Sequence, residues 1–300
     1  MTKSKWGESH IPNQKGRVVI VSGSTSGIGK EAVRILTDKE AILVMAVRNT
    51  QKGYKVASEI QTVNPAANIK VMELDLTSLQ SIKRFSENFS KSFNSLDVLI
   101  NNAGIMMCPF AKTEDGFEVQ MGTNHLGHFA LTGHLMPLLK KTKNSRIVVT
   151  SSVAHKFGKI NLEDIHWESR KYNTNNAYGD SKLANLYFAY ELVRKLKNDP
   201  DAPMVTAAHP GWTRTELQRH SGGIRFLNNF FSQAPAMGIL PSLRAGFDPS
   251  AKTGDYYGPD KFFEMQGYPV KVKSNKLSHD EEIAKKLWDL SEGLTKVNFH

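Results

Sequence analysis

The chain has 300 residues, of which 40% are hydrophobic and 23% charged, with 22 glycines and 12 prolines. This composition is typical of a globular protein and excludes the collagen-like and low-complexity classes. The single cysteine, Cys108, excludes an internal disulfide and a multi-cysteine metal site, which favours a reducing, cytoplasmic setting. The formal net charge of +10 favours anionic partners, but the basic residues are scattered and form no nucleic-acid-binding motif, so nucleic-acid binding is disfavoured.

The sequence contains no recognisable targeting or membrane-spanning pattern. Residues 1–17 are polar and lack the apolar core of a signal peptide. Elsewhere, no run reaches the roughly 18 uninterrupted apolar residues that a membrane-spanning helix needs. We therefore expect neither a secretion signal nor a membrane span.

Short β-branched runs alternate with longer helical patterns through the first 209 residues. The predicted elements are, in chain order, a strand at 17–22, a helix at 27–38, a strand at 41–47, a helix at 51–63, a strand at 69–74, a helix at 78–91, a strand at 96–100, a helix at 114–141, a strand at 146–151, a helix at 177–196 and a strand at 204–209. The strands are almost continuously apolar, as expected for a sheet that helices cover on both faces. Repeated strand–helix units of this kind predict an α/β protein with a Rossmann-type, doubly wound parallel sheet.

No linker or shift of composition divides the chain, so we expect one domain over residues 1–300, with residues 1–15 as an N-terminal tail. Residues 212–250 follow the last predicted strand and hold large apolar residues among glycines and prolines, which favours an apolar substrate loop or lid over a cleft. The alternative is that these residues complete the core. They are Trp212, Phe226, Leu227, Phe230, Phe231, Met237, Ile239 and Leu240. Further on, residues 280–295 carry an apolar stripe at helical spacing, which predicts a packed helix.

A glycine-rich turn lies between the first predicted strand and the first predicted helix. Glycine permits a tight turn and lets backbone N–H groups approach a pyrophosphate at the positive end of the helix. Alone, such a turn is a weak signal for nucleotide binding, but its place after the first strand strengthens it. The turn comprises Ser22, Gly23, Ser24, Thr25, Ser26, Gly27, Ile28 and Gly29.

The residue that follows the second strand distinguishes the two nicotinamide cofactors. A carboxylate there would bind the ribose 2′-hydroxyl of NAD(H), whereas a cation suits the 2′-phosphate of NADP(H). Arg48 stands at this position, and its forked guanidinium matches phosphate oxygens. The sequence therefore predicts NADP(H) in preference to NAD(H), unless Arg48 is a plain surface arginine.

Tyr178 and Lys182 are four residues apart, which places both side chains on one face of a helix. A nearby ammonium favours the phenolate and lowers the pKa of a phenol from its ordinary value of about 10. Such a pair can exchange a proton near neutral pH. Tyr257 and Lys261 have the same spacing, but a Gly-Pro dipeptide lies between them and excludes a helix interior, so we attribute this second pair to chance.

Four motifs in this order resemble those of the short-chain dehydrogenase/reductase family, and the resemblance covers roughly residues 16–217. They are the glycine-rich turn, Asn101-Asn102-Ala103-Gly104 after the fourth strand, Ser151-Ser152 after the fifth strand, and Tyr178 with Lys182. Residues 124–129 (NHLGHF), 181–185 (SKLAN) and 209–211 (HPG) are similar to the retinol-dehydrogenase-like branch, as is the long gap between the serine and the tyrosine.

The resemblance implies an NADP(H)-dependent oxidoreductase that interconverts a carbonyl and an alcohol on a small, hydrophobic substrate. In the family, the residue matching Tyr178 exchanges the proton with the substrate oxygen, and the residue matching Lys182 also binds the nicotinamide ribose. Ser152, which matches the catalytic serine better than Ser151, would hydrogen-bond the substrate oxygen. Asn124 matches the asparagine that supports a water-linked proton path to the lysine.

The resemblance also implies which residues line the cofactor cleft at the carboxyl ends of the strands. Besides the glycine-rich turn, these are Arg48, Asp75, Leu76, Asn101, Asn102, Ala103, Gly104, Tyr178, Lys182, Pro210, Gly211, Thr213 and Thr215. Because the cofactor carries the hydride, no metal is expected. Relatives commonly pair through the helix that bears the tyrosine, so a homodimer or homotetramer is compatible with the resemblance.

Two positions depart from the family pattern. Ser22 stands where threonine is usual, which keeps a hydroxyl, and Glu40 stands where a glycine commonly ends the first helix, which suggests a different turn into the second strand. Two other functions remain open. A silent NADP(H)-binding sensor or scaffold would need no proton-transfer group, and an epimerase or dehydratase would use the same tyrosine without net cofactor consumption.

Overall fold

A computed structural model describes residues 5–213 and 232–299. The predicted contact residue Thr215 and the aromatic residues at 226, 230 and 231 lie outside the described residues. Within the described ranges, no helix is both long enough and apolar enough to pass through a membrane.

One sheet of eight strands runs through the molecule in the order β3-β2-β1-β4-β5-β6-β7-β8. The strands are β1 (Val18–Ser22), β2 (Ile42–Val47), β3 (Asn68–Glu73), β4 (Val98–Asn101), β5 (Arg146–Thr150), β6 (Met204–Ala208), β7 (Tyr256–Lys261) and β8 (Gln266–Lys271). All neighbours pair in parallel except β7 and β8, which are antiparallel. The predicted doubly wound parallel sheet is thereby confirmed. The strand order reverses between β1 and β4, where such sheets open a ligand cleft at their carboxyl edge.

Helices cover both faces of this sheet. They are α1 (Gly27–Thr37), α2 (Thr50–Val63), α3 (Leu79–Ser92), α4 (Val119–Met121), α5 (Gly127–Lys141), α6 (Thr174–Lys195), α7 (Pro235–Gly238), α8 (Leu240–Phe247) and α9 (Glu281–Thr295). One apolar cluster joins the sheet to α1, α2 and α8, and a second joins it to α3, α5 and α6. A π-helical turn, Gly122–Leu126, connects α4 to α5.

The predicted C-terminal helix is α9, and it packs against α6. Ala284 and Leu287 of α9 lie in one cluster with Leu183 and Tyr187 of α6. Helix α6 is therefore buried on the side facing the sheet and on the side facing α9.

The structure differs from the sequence-based expectations in three elements. The helix predicted from residue 114 begins only at Val119. The Glu118 carboxylate caps its start by accepting the N–H groups of Gln120 and Met121. Strands β7 and β8 were not predicted, because the Gly-Pro dipeptide of β7 is typical of a turn. The proline, which has no N–H to donate, is tolerated in β7 because β6 pairs only with Tyr256 and Tyr257, before the proline.

The expected lid is wrong over part of its predicted range. Ile239 and Leu240 are buried in the cluster beneath α8, so the segment from residue 239 onward completes the core. Met237 packs partly against the same cluster. For the rest of the predicted substrate loop, the expectation stays a prediction.

The expectation of a different turn after the first helix is also wrong. Glu40 has φ of 64°, the left-handed conformation that a C-terminal glycine ordinarily supplies. Its carboxylate accepts a hydrogen bond of 2.8 Å from Asn13 Nδ2. The path of the chain into β2 therefore keeps the geometry of a glycine turn although the residue is glutamate.

Candidate active site

The glycine-rich turn packs too closely for side chains at its glycines. Gly23 and Gly27 have φ of 68° and 55°. A Cβ atom on Gly29 would lie 2.4 Å from the Gly23 carbonyl oxygen, and one on Gly23 would lie 2.7 Å from Ala103 Cβ. Helix α1 begins after Ser26, whose side chain does not cap it, so no side chain there occupies the first amides. Ser24 Oγ is buried without a hydrogen-bond partner. These features fit the phosphates of a dinucleotide.

Ser22 links the glycine-rich turn to the segment after β4. Its Oγ accepts the N–H groups of Asn102 and Ala103 at 2.9 and 3.0 Å, and it lies 3.0 Å from His128 Nε2. Since His128 Nδ1 lies 3.0 Å from the Asn124 carbonyl, which can only accept, Nδ1 carries the proton. Burial lowers the pKa of His128 to about 4, so Nε2 is left to accept the Ser22 hydroxyl.

Ser152 and Tyr178 face each other beyond the end of β5. The Ser152 hydroxyl lies close enough to the Tyr178 phenol to lower its pKa, and Ser152 Oγ accepts the N–H of Ala154 at 3.2 Å. Ser151 points elsewhere, because its Oγ donates to the Lys182 carbonyl at 2.8 Å. The structure thus brings Ser152 rather than Ser151 to the tyrosine.

Lys182 lies one helical turn beyond Tyr178, and its Nζ stands over the tyrosine ring at 5.8 Å from the centroid. The ammonium donates to the Thr150 carbonyl at 3.3 Å. A Cβ atom on Gly104 would lie 3.1 Å from Asn124 Oδ1 and 3.5 Å from Nζ, so the segment after β4 runs close to both side chains. Burial lowers the pKa of Lys182 to about 8.

The expectation that Lys182 lowers the pKa of Tyr178 is not met by this arrangement. Burial raises the pKa of Tyr178 above its ordinary value, and the hydrogen bond with Ser152 lowers it by less. Desolvation prevails because the side chain is 7% exposed and the ammonium lies over the ring. The phenol is therefore protonated at neutral pH.

Asn124 lies within the π-helical turn, and its side-chain amide is fully used. Oδ1 accepts the Ile105 N–H at 2.8 Å, while Nδ2 donates to the Ile105 carbonyl at 3.0 Å and to Ser181 Oγ at 2.9 Å. Ser181 Oγ in turn donates to the Tyr178 carbonyl at 2.8 Å. Asn124 therefore connects the segment after β4 to the helix that carries the tyrosine.

The other predicted cofactor contacts lie around the same edge of the sheet. Arg48 is exposed directly after β2, and no carboxylate pairs with it within residues 5–213 and 232–299. Asp75 is engaged by its own turn, because Oδ1 accepts the N–H and hydroxyl of Thr77 at 2.9 and 2.8 Å. Leu76 packs against α5, where a Cβ on Gly127 would lie 2.6 Å from its carbonyl oxygen.

Pro210, Gly211 and Thr213 follow β6 at this edge. Gly211 has φ of 64°, and the Pro210 carbonyl accepts hydrogen bonds from Thr213 Oγ1 and Gln233 Nε2, each of 2.8 Å. Asn101 turns away from the cleft, since its Nδ2 donates to Thr132 Oγ1 on α5 at 2.9 Å. Among the predicted contacts, the Asp75 side chain is thus committed to its own turn and the Asn101 side chain to α5.

Sequence reasoning assigned no role in this site to two buried histidines beside it. His128 bonds Ser22 and Asn124, and His155 bonds the Ser152 carbonyl. A polar residue within a predicted core helix was the available signal for His128. Nothing in the pattern around His155 indicates its partner, which lies 120 residues further along the chain.

Comparison with known proteins agrees with this geometry. The family model of the short chain dehydrogenases matches residues 17–222. Human retinol dehydrogenase 11 is 40% identical over 279 residues, which cover 92% of this chain and 85% of that protein. Human retinol dehydrogenase 13 is 38% identical over 282 residues, which cover 91% of this chain and 82% of that protein.

Among solved structures, an uncharacterised protein from Mycobacterium paratuberculosis is 39% identical, with a TM-score of 0.84 and coverage of 99% of this chain and 100% of that one. A short chain dehydrogenase from Shigella flexneri, solved with NADP, shares the fold at 23% identity, with a TM-score of 0.66 and coverage of 81% and 95%. The chain belongs to the short-chain dehydrogenase/reductase family and, by its curated relatives, to the retinol-dehydrogenase-like branch. It is accordingly an oxidoreductase of the class that interconverts carbonyls and alcohols.

Proposed function

We propose that the protein uses NADP(H) to interconvert a carbonyl and an alcohol on a small hydrophobic substrate. The observation that carries the proposal is the convergence of Ser152, Tyr178 and Lys182 beside the glycine-rich turn at one edge of the sheet. The curated relatives that are named retinol dehydrogenases support an apolar substrate.

The cofactor would be held by residues from four strand ends. The free amides at the start of α1 and the unpartnered Ser24 Oγ suit the pyrophosphate. The exposed guanidinium of Arg48 suits a ribose 2′-phosphate. Lys182 would contact the nicotinamide ribose. When bound, the cofactor supplies or accepts the hydride.

The protein itself moves the proton. In the reducing direction the Tyr178 hydroxyl donates its proton to the substrate oxygen, and its raised pKa keeps that proton in place at neutral pH. Ser152 donates a hydrogen bond to the same oxygen and so stabilises the charge that develops there. In the oxidising direction the ionised form of Tyr178 accepts the proton from the alcohol, and because the pKa of Tyr178 is raised, this direction is favoured at alkaline pH.

The first test replaces the proton donor. In Tyr178→Phe we expect the rate of NADPH consumption with apolar aldehydes and ketones to fall at least about a hundredfold, because a positioned general acid ordinarily accelerates a reaction by that factor or more. The dissociation constant for NADPH, measured by fluorescence, should stay within about twofold. Tyr187→Phe is the matched control, because it removes a phenol from the same helix outside the site.

The same experiment separates the alternative functions. Binding of NADPH by the unaltered protein without turnover of any carbonyl substrate would favour the sensor or scaffold. Conversion of substrate without net NADPH consumption would favour an epimerase or dehydratase. Full activity of Tyr178→Phe would contradict the proposed proton donor.

The second test addresses cofactor choice. Arg48→Ala should weaken the binding of NADPH about tenfold or more and change the binding of NADH little, since a charge-assisted hydrogen bond contributes roughly 1.5–3 kcal/mol. Lys141→Ala is the control, because this exposed cation lies at the opposite edge of the sheet, where α5 ends. An unchanged ratio of the two dissociation constants would show that Arg48 does not select the cofactor.

A further inference from the structure

His155 lies directly beside Ser152 and is buried completely. Its Nδ1 stands 2.6 Å from the Ser152 carbonyl oxygen. Because a carbonyl only accepts hydrogen bonds, Nδ1 carries the proton and donates it. Nε2 is then the acceptor, and it receives the backbone N–H of Asn275 at 3.2 Å. Burial lowers the pKa of His155 to about 4, which agrees with a neutral ring in this one tautomer.

Asn275 contacts His155 a second time through its side chain. Its Nδ2 donates to the His155 carbonyl at 2.9 Å, while its Oδ1 accepts the Ser278 N–H at 3.1 Å and caps the short turn Lys276–His279. One residue therefore fixes both the ring and the main chain of His155. Asn275 lies beyond residue 222, where the match to the family model ends.

These contacts determine where the Ser152 hydroxyl points. Ser152 starts the 3₁₀ turn Val153–Phe157, and its Oγ caps that turn by accepting the Ala154 N–H. Its carbonyl accepts both the His155 backbone N–H, at 3.0 Å, and the imidazole Nδ1–H, so the peptide after Ser152 cannot rotate without breaking both bonds. A rotation there would break the cap that Oγ makes on the Ala154 N–H and would change the position of the hydroxyl relative to Tyr178.

We propose that Asn275, acting through His155, is a positioning residue that holds the Ser152 hydroxyl in register with Tyr178 and the substrate oxygen. The proposal rests on the role that the proposed function gives to Ser152. Asn275 itself contacts neither cofactor nor substrate. Its effect is on orientation, and a misplacement of about 1 Å can cost up to a hundredfold in rate.

The experiment uses variants that remove one contact at a time. Asn275→Ser keeps a side-chain oxygen that can cap the turn but lacks the amide that reaches the His155 carbonyl. His155→Leu removes both imidazole contacts at similar volume, whereas His155→Asn keeps a donor close to the position of Nδ1. Asn64→Ser is the control, because Asn64 also joins main-chain groups of two elements, through Thr37 and Ala66, at a site remote from Ser152.

We expect Asn275→Ser to lower kcat about tenfold with the NADPH dissociation constant within about twofold of the unaltered protein. His155→Leu should lower kcat further, and His155→Asn should recover part of that loss. Asn64→Ser should leave kcat unchanged. Unchanged kcat in Asn275→Ser, or equal losses in the two His155 variants, would overturn the proposal.

A double-mutant cycle with Ser152→Ala separates positioning from general loosening of the fold. If Asn275 acts only on Ser152, Asn275→Ser should change kcat less than about twofold once the serine hydroxyl is absent. If the losses in kcat of the two single variants instead multiply in the double variant, Asn275→Ser acts elsewhere in the structure. That result would overturn the proposal and leave the proposed function intact. A full rate in Ser152→Ala would refute the role of the serine itself, and the positioning role with it.

Discussion

Residues 17–213 and residues 232–299 contribute to the site in different ways. The first region supplies the described groups that we place against cofactor or substrate, and the family model matches all of it. The second supplies none of these groups, yet it packs on the helix that carries Tyr178 and Lys182 and reaches His155 through Asn275. Under the proposed function, the groups that perform the chemistry come from the first region, whereas part of their support comes from the second.

The contacts that the last part of the second region, residues 274–299, makes with the first region lie on α6 and its surroundings. Ser291 Oγ of α9 lies 2.9 Å from His125 Nε2, next to Asn124, and Ser274 Oγ lies 2.9 Å from the Tyr190 hydroxyl. Trp288 fills the space between α9 and α5. While α9 is in place, this face of α6 is unavailable to a second copy of the chain.

Among the substitutions that test this comparison, the largest loss of stability is expected for Trp288→Ala. Its side chain is 2% exposed. The centroid of its ring lies 5.0 Å from that of Phe129, 5.9 Å from that of Phe188 and 4.7 Å from that of Phe299. Trp288→Ala should lower the free energy of unfolding by about 3–5 kcal/mol, the usual cost of deleting a buried aromatic ring. Urea unfolding followed by circular dichroism measures it.

Trp288→Phe is the control for this prediction, because it keeps an aromatic ring and should lower the free energy of unfolding clearly less than Trp288→Ala does. Tyr54→Ala provides a second control, since Tyr54 is 61% exposed on α2 and its truncation should change stability little. A loss below about 1 kcal/mol in Trp288→Ala would mean that α9 contributes little to the stability of α6.

The same division explains what the sequence could predict. The strands of the parallel sheet are continuously apolar, so the fold could be predicted from local pattern and is confirmed. The groups at the carboxyl ends of the strands form motifs of fixed spacing, which is why candidate site residues could be named from the sequence. The contact between His155 and Asn275 spans 120 residues and leaves no local trace. The raised pKa of Tyr178 was missed for a related reason, because burial depends on what packs around the ring and not on the spacing to Lys182.

A smaller effect is expected from the buried histidines when the pH is lowered. Burial lowers the pKa from 6.5 to about 3 for His125 and to about 4 for His128 and His155, so these rings stay neutral in the fold but take up protons on unfolding. The free energy of unfolding should therefore fall as the pH drops from about 6.5 to about 4. Asp180, whose pKa is raised from 3.8 to about 6, and Glu118, whose pKa burial also raises, act in the opposite direction, but the buried histidines outnumber these two carboxyls.

His155 provides the sharpest form of this prediction, because its burial depends on both regions. His155→Asn removes one of the protons taken up, so the slope of the unfolding free energy against pH should be shallower by roughly 1.4 kcal/mol per pH unit near pH 5. Urea unfolding of both proteins at several values between pH 4 and pH 7 measures the slopes. Equal slopes would mean that His155 is already protonated in the fold at pH 5, and the imidazole could then not accept the Asn275 N–H.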